Sequence, residues 1–264
     1  MKEKITFSES FILMKKKPGK LRNPLLLVGL PGIGLVSKLA VDHLVKSRKA
    51  ELFALLYSPH FPNQVLALKS GNLKAFSLSF YKAKLKNRDL ILVRGVLQPL
   101  TVEGQYEVAA KILEFFKSMG GKEVLAMAGY AIHKKTDKPS IYCSSTNKQM
   151  LSALIKNGAK KNDRIVPVVG MAGLLPALSK LFDLKGACLL VETHGAALDA
   201  NGAQHLLEFI GKLLKEKMDV KDLSKRAKKT QEVLEKIEAQ ARLEENRALA
   251  ASGLPVQKDL TYIH

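Results

Sequence analysis

The sequence contains no tryptophan, and aromatic residues make up only 6% of it. A stacking platform for single-stranded nucleic acid, which needs rings along a basic groove, is therefore poorly supplied. There are only two cysteines, Cys143 and Cys188, far apart and without metal-like spacing. They read as small buried hydrophobes in a reducing cytosol, not as a disulfide or thiolate-metal framework. No apolar run reaches bilayer length. The longest, Leu25 to Val36, is interrupted by Pro31 and three glycines, so no transmembrane helix and no membrane partner are expected. Met1-Lys2-Glu3-Lys4 carries no apolar signal core, which predicts a cytoplasmic protein. The histidines, His43, His60, His133, His194, His205 and His264, show neither HxxxH nor HExxH spacing, so no metal is expected. No Gly-x-Ser-x-Gly elbow and no Gly-Lys-Ser/Thr phosphate loop occurs, and no cofactor is expected.

Acidic residues are in short supply: 24 Asp plus Glu face 43 Lys plus Arg, for a net charge of +19. The basic residues are spread over many segments, denser only at 15–17, 134–135, 160–161 and 225–229. Such a diffuse positive field suits an acidic protein surface better than nucleic acid. With 47% apolar and 25% charged residues over 264 positions, the chain is globular and long enough to bury a core without disulfides. That length fits one large domain with an appendage.

Buried strands are predicted at Pro24 to Leu30, Glu51 to Tyr57, Asp89 to Val96, Val124 to Ala128, Ile165 to Val169 and Ala187 to Glu192. An antiparallel hairpin is predicted from Val65–Leu68 and Leu73–Tyr81 around Lys69-Ser70-Gly71-Asn72. Helical spacing covers Ile33 to Val45, Gly104 to Met119, Thr146 to Asn157 (capped by Ser145), Leu174 to Phe182, and Ala200 to about Met218 (capped by Asp199). Strands alternating with helices predict an α/β fold: a three-layer α/β/α sandwich on a mainly parallel sheet with an antiparallel hairpin, occupying residues 1–219. From Val220 the residues Leu223, Ala227, Thr230, Leu234, Ile237 and Ala241 follow at gaps alternating between three and four. This predicts a helical extension over 220–250 with a coiled-coil seam, which docks on its own domain, pairs with another subunit or stands as a solvated single helix. Ser252-Gly253 and Pro255 then release a flexible tail, 251–264.

Two stretches bear on chemistry. Gly29-Leu30-Pro31-Gly32-Ile33-Gly34 sits at a strand-to-helix junction, where α/β sheets bind ligands. Its spacing fails the dinucleotide fingerprint, because Ser37 stands where a third glycine is needed. It reads either as a ligand turn or as a tight turn permitting close strand–helix packing. Glu192-Thr193-His194 ends a strand and offers an acid, a hydroxyl and an imidazole. Adjacent strand residues point to opposite faces, so the three need not converge.

Leu27-Val28-Gly29-Leu30-Pro31-Gly32-Ile33-Gly34, Gly104-Gln105-Tyr106, Gly129-Tyr130, Gly170-Met171-Ala172-Gly173-Leu174-Leu175 and Leu189 to Gly195 before Asp199, taken in this order, resemble the archaeal proteasome assembly chaperone family, also labelled an uncharacterised ATP-grasp superfamily. The resemblance spans about residues 22 to 225. It implies a nucleoside-phosphorylase-like α/β/α fold, a homo-oligomer, no catalytic activity, and binding to proteasome α subunits or the α-ring through C-terminal tails. Members of this kind end in hydrophobic-Tyr-X. Here the ending is Tyr262-Ile263-His264, with tyrosine third from the end, and these three residues are the expected partner-binding tail. The alternative is a nucleotide- or nucleoside-binding enzyme using a cleft around Gly29, Gly32 and Gly34 and around Glu192, Thr193 and His194.

Overall fold

The computed structural model describes residues 9–132, 136, 138–162, 167–195, 198–221 and 223–225. In chain order the elements are β1 Phe11–Met14, β2 Leu25–Gly29, α1 Val36–Ser47, β3 Glu51–Tyr57, β4 Val65–Ala67, β5 Leu73–Ala75, β6 Leu78–Lys84 and β7 Asp89–Arg94. They continue with α2 Val102–Ser118, β8 Glu123–Ala131, β9 Ile141–Ser145, α3 Lys148–Lys156, β10 Lys160–Lys161, α4 Met171–Ser179, β11 Lys185–Thr193 and α5 Ala200–Leu214.

One nine-stranded sheet runs in the order β1-β3-β6-β7-β2-β8-β11-β9-β10. The four central strands, β7-β2-β8-β11, are parallel. They are joined through helices, as parallel neighbours require. On one side β1, β3 and β6 add antiparallel strands, and on the other β9 runs antiparallel to β11. The sheet is thus mixed, with its parallel part at the centre. Leu25 to Gly29 are all buried because both faces of β2 are covered. Leu25 and Leu27 pack with Leu39 and Leu44 of α1 and Leu206 and Ile210 of α5. Leu26 and Val28 pack on the opposite face with Ile112 and Phe116 of α2 and Leu175 of α4.

Several sequence expectations shift. The hairpin strand breaks after Ala75: β4 and β5 form a small separate sheet, and β6 joins the main sheet between β3 and β7. The short strands β1 and β9 carry too few residues to show alternation and were not foreseen. Of the strand expected at Ile165 to Val169, residues 167–169 are not extended into any ladder, and the remainder lies outside the described residues. The cap of α3 is Asn147, whose side chain accepts from the Met150 amide at 2.9 Å. Ser145 instead donates to the Gly186 carbonyl at 2.7 Å, tying β9 to β11. Helix α5 stops at Leu214 because Lys215 adopts a left-handed conformation. Asp199 caps it as expected, accepting from Gly202 at 2.8 Å.

Both cysteines are buried and unpaired. Burial, with Cys143 beside it, pushes the Cys188 thiol up to about 12. Among the described residues no helix is long and apolar enough to cross a membrane. The first two seam positions, Val220 and Leu223, pack against the α1/α5 cluster of the same chain, Leu223 at 2% exposure. The remaining seam positions, and the tail residues Tyr262, Ile263 and His264, lie outside the described residues.

Burial predicts a sharp contrast between two leucines. Leu27 is fully buried and Leu181 is 77% exposed. Leu27→Ala is expected to cost about 2–5 kcal/mol in urea unfolding, and Leu181→Ala less than about 0.5 kcal/mol.

Candidate functional site at the ends of the central strands

The two glycine- and threonine-bearing turns meet at the C-terminal ends of β2, β8 and β11. After β2 the chain passes through Leu30-Pro31-Gly32 into a single 3-10 turn, Ile33–Leu35, before α1 begins. The Ser37 hydroxyl donates to the Leu30 carbonyl at 2.8 Å and folds the turn back onto the helix. Gly34 and Leu35 are both left-handed, at φ +64° and +51°, which is why the helix starts later than its apolar spacing suggests.

The glycines divide by role. A Cβ on Gly29 would stand 2.3 Å from Val41 Cγ2 and 2.4 Å from the Ser37 carbonyl oxygen, so only glycine lets β2 lie this close to α1. A Cβ on Gly34 would stand 2.8 Å from Thr193 Oγ1. The Gly34 carbonyl also accepts from the Asp199 amide at 2.8 Å. Gly32 is different: its backbone is extended, with φ −172°, and a Cβ there would meet nothing within 4 Å. Close strand–helix packing therefore makes no demand for glycine at position 32. Gly129 of β8 does have one, because a Cβ would lie 2.3 Å from the Ile33 carbonyl oxygen and 2.8 Å from Thr193 Cγ2.

Glu192, Thr193 and His194 do not converge. Thr193 is buried between Gly34 and Gly129, and its hydroxyl accepts from the Gly195 amide at 3.3 Å. Glu192 turns to the β9 edge, where its carboxylate accepts from the Ser140 amide at 2.8 Å and the Tyr142 hydroxyl at 3.1 Å. His194 is exposed. The strand's two-residue period separates the acid from the hydroxyl.

A groove of about 500 Å³ opens beside this junction, walled by Pro31, Gly32, Ile33, Gly129 and Met171. Gln98 braces it. Its Nε2 donates to the Pro31 carbonyl at 2.5 Å, and its Oε1 accepts from the Met171 amide at the start of α4 at 3.1 Å. Sequence reasoning missed Gln98, since a single glutamine after a strand carries no periodic or spacing signal. A neighbouring cavity of about 570 Å³ lies between Tyr106 of α2, Leu174 of α4 and Cys188. Among the described residues no charged side chain lines either cavity. No group of three or more metal-ligating side chains occurs among them. The walls are largely apolar and offer amides and hydroxyls as hydrogen-bonding groups, and Tyr106 and Val169 stand exposed at the rims, at 52% and 86%.

The division of glycine roles is testable by thermal and urea melts. Gly34→Ala places a Cβ at positive φ and against Thr193, and is expected to cost about 1 kcal/mol or more. Gly32→Ala is expected to change stability by less than about 0.5 kcal/mol.

Comparison with known proteins fits this architecture. The sequence profile of the PAC2 family matches residues 26–238. An uncharacterized protein of Methanocaldococcus jannaschii is 34% identical over 244 residues, covering 92% of this chain and 93% of its own. The crystal structure of Pyrococcus furiosus PbaB, an archaeal proteasome activator, superposes with a TM-score of 0.77 at 35% identity, covering 87% of this chain and 99% of that one. That of Pyrococcus furiosus PbaA, an archaeal homolog of proteasome-assembly chaperone, gives 0.72 at 26% identity, covering 90% and 99%. With the profile spanning most of the chain and the relative matching along nearly its whole length, the chain belongs to the PAC2 family, the family of archaeal proteasome-assembly chaperone homologues that its motifs resemble.

Proposed function

We propose that this protein is a non-enzymatic, homo-oligomeric chaperone or adaptor that binds proteasome α subunits or the assembled α-ring. The observation that carries the reading is the likeness, over most of the chain, to PbaB and PbaA, described as a proteasome activator and a homolog of a proteasome-assembly chaperone. The site geometry supports it. Thr193, Gly34 and Gly129 are occupied in holding two turns together and Glu192 in holding β9 against β11, and among the described residues no charged side chain lines either cavity. In this reading residues 1–219 form a three-layer, phosphorylase-like core in the cytoplasm, 220–250 a helical extension, and 251–264 a tail that docks through Tyr262, Ile263 and His264. A lone mobile tail pays ordering entropy, but several tails on one oligomer raise avidity by about 10² to 10⁴. The surplus of basic residues steers the approach to an acidic partner surface.

Deleting Tyr262 to His264 is expected to abolish binding to a purified proteasome α-ring in surface plasmon resonance, with folding and oligomer mass unchanged. Undiminished binding by this variant would remove the tail from the mechanism. For assembly, truncation after residue 225 keeps Leu223 in its core position and tests the rest of the extension. A lower mass in light scattering is expected.

The groove beside Gly32 and Gly129 supports a second reading, a nucleotide- or nucleoside-binding enzyme, because it lies where α/β sheets bind ligands. Thermal shifts with ATP and nucleosides separate the two. The chaperone reading expects no stabilisation, whereas a bound ligand raises the melting temperature logarithmically with its concentration above Kd.

A further inference from the structure

Away from the glycine turns, the end of β7 assembles an unbalanced set of charges. Lys38 of α1 is almost wholly buried, its side chain 3% exposed, and its Nζ pairs with Asp42 Oδ2 at 2.7 Å. Arg94, the last residue of β7, pairs through Nε with the other oxygen of the same carboxylate. One buried carboxylate therefore serves two cations. Burial works to lower the Arg94 pKa, and Asp42 and Tyr81 more than offset it, so the guanidinium is held firmly charged.

Arg94 is also one wall of a cavity of about 100 Å³ between β6, β7 and the β4–β5 hairpin. The polar groups around it are Lys74, Ser77, Ser79, Tyr81 and Arg94, and among the described residues no carboxylate lines it. Among the described residues the side chains of Lys74, Ser77 and Ser79 make no hydrogen bond or ion pair. A water's share of liquid volume is about 30 Å³, so the space exceeds a single water. The donors come from different elements: a guanidinium from β7, hydroxyls from Ser77 and β6, and an ammonium from β5. Lys38, Lys74 and Arg94 against Asp42 leave two positive charges uncompensated. A phosphate group carries about −1.5 to −2 at pH 7, whereas a carboxylate carries only one negative charge. Arginine and lysine together are the usual donors to its oxygens.

We propose that the cavity formed by Lys74, Ser77, Ser79, Tyr81 and Arg94 is a phosphate-binding site. It takes inorganic phosphate or the phosphate of a monoester, with Arg94 fixed by Asp42 as its floor and Lys74 closing over it from the hairpin. The site is separate from the groove beside Gly32 and Gly129 and does not depend on proteasome binding.

The test is calorimetric titration of the full chain with potassium phosphate, against potassium chloride at matched ionic strength. Saturable binding is expected with phosphate and none with chloride. Lys74→Gln and Arg94→Gln are each expected to weaken it about tenfold or more, since each removes a charge-assisted contact. Lys74 lies on an exposed strand, so Lys74→Gln carries the test should Arg94→Gln fail to fold. Glycerol phosphate as competitor separates the sources. Competition assigns the site to a phosphate on a larger molecule, and its absence assigns it to the free ion. No saturable heat with phosphate, equal heat with chloride, or unchanged affinity in folded Lys74→Gln would each overturn the proposal.

Discussion

The carbonyl oxygen of Ile33 sits where a side chain on Gly129 would begin, and the whole C-terminal end of the sheet is organised by that close approach. Glycine at 129 lets the turn after β2 cross the top of β8. Gly34 then reaches the buried hydroxyl of Thr193 at the end of β11, and its carbonyl receives the Asp199 amide that opens α5. Three parallel strands and two helices on one face are thereby fixed to one another by backbone contacts that no larger residue permits. The Ile132 amide adds a further bond, to the Thr193 carbonyl at 2.8 Å. Of the acid, hydroxyl and imidazole at the end of β11, Thr193 is engaged in this junction, Glu192 bonds to Ser140 and Tyr142 at β9, and His194 is exposed.

The same economy extends to the opposite face. Gln98 spans from Pro31 to the amide of Met171, so the turn after β2 and the start of α4 are held by one side chain. Among the described residues the walls of the groove left between them carry no charged side chain and are mostly apolar, and its rim exposes Val169. Charge is placed elsewhere, in the Lys38–Asp42–Arg94 cluster under α1 and over the outer surface.

Legibility in the sequence followed local signal. The run Leu25 to Gly29 announced a doubly buried strand, and Asp199 announced a helix start, its side chain accepting at 2.8 Å from the Gly202 amide three residues on. The hairpin was misread because Leu73 to Tyr81 is one apolar-rich stretch. Only the tertiary fold shows that β5 stays with β4 while β6 crosses to pair with β3 and β7. The glycines could be recognised as a junction but not ranked. Gly32 and Gly34 look alike in the chain, and only the neighbours at Thr193 and Asp199 separate the required one from the free one. Gln98 and the pairing of Arg94 with Asp42 bring together residues 52 or more positions apart, beyond any periodicity. The resemblance to the family was readable because it rests on the order of several short motifs, each set by such a backbone constraint.

Native-state hydrogen exchange tests the clamp at the strand ends most directly. The Asp199 amide, bonded to Gly34, and the Ile132 amide, bonded to Thr193, report on the junction itself. If the two turns and β8 form one unit with the core, both amides exchange only through global unfolding, with the same free energy as the amides of β2. Exchange of Asp199 and Ile132 through a local opening, at a free energy well below that of β2, would contradict the account. It would show the junction to be a separable pair of loops free to serve as a ligand site.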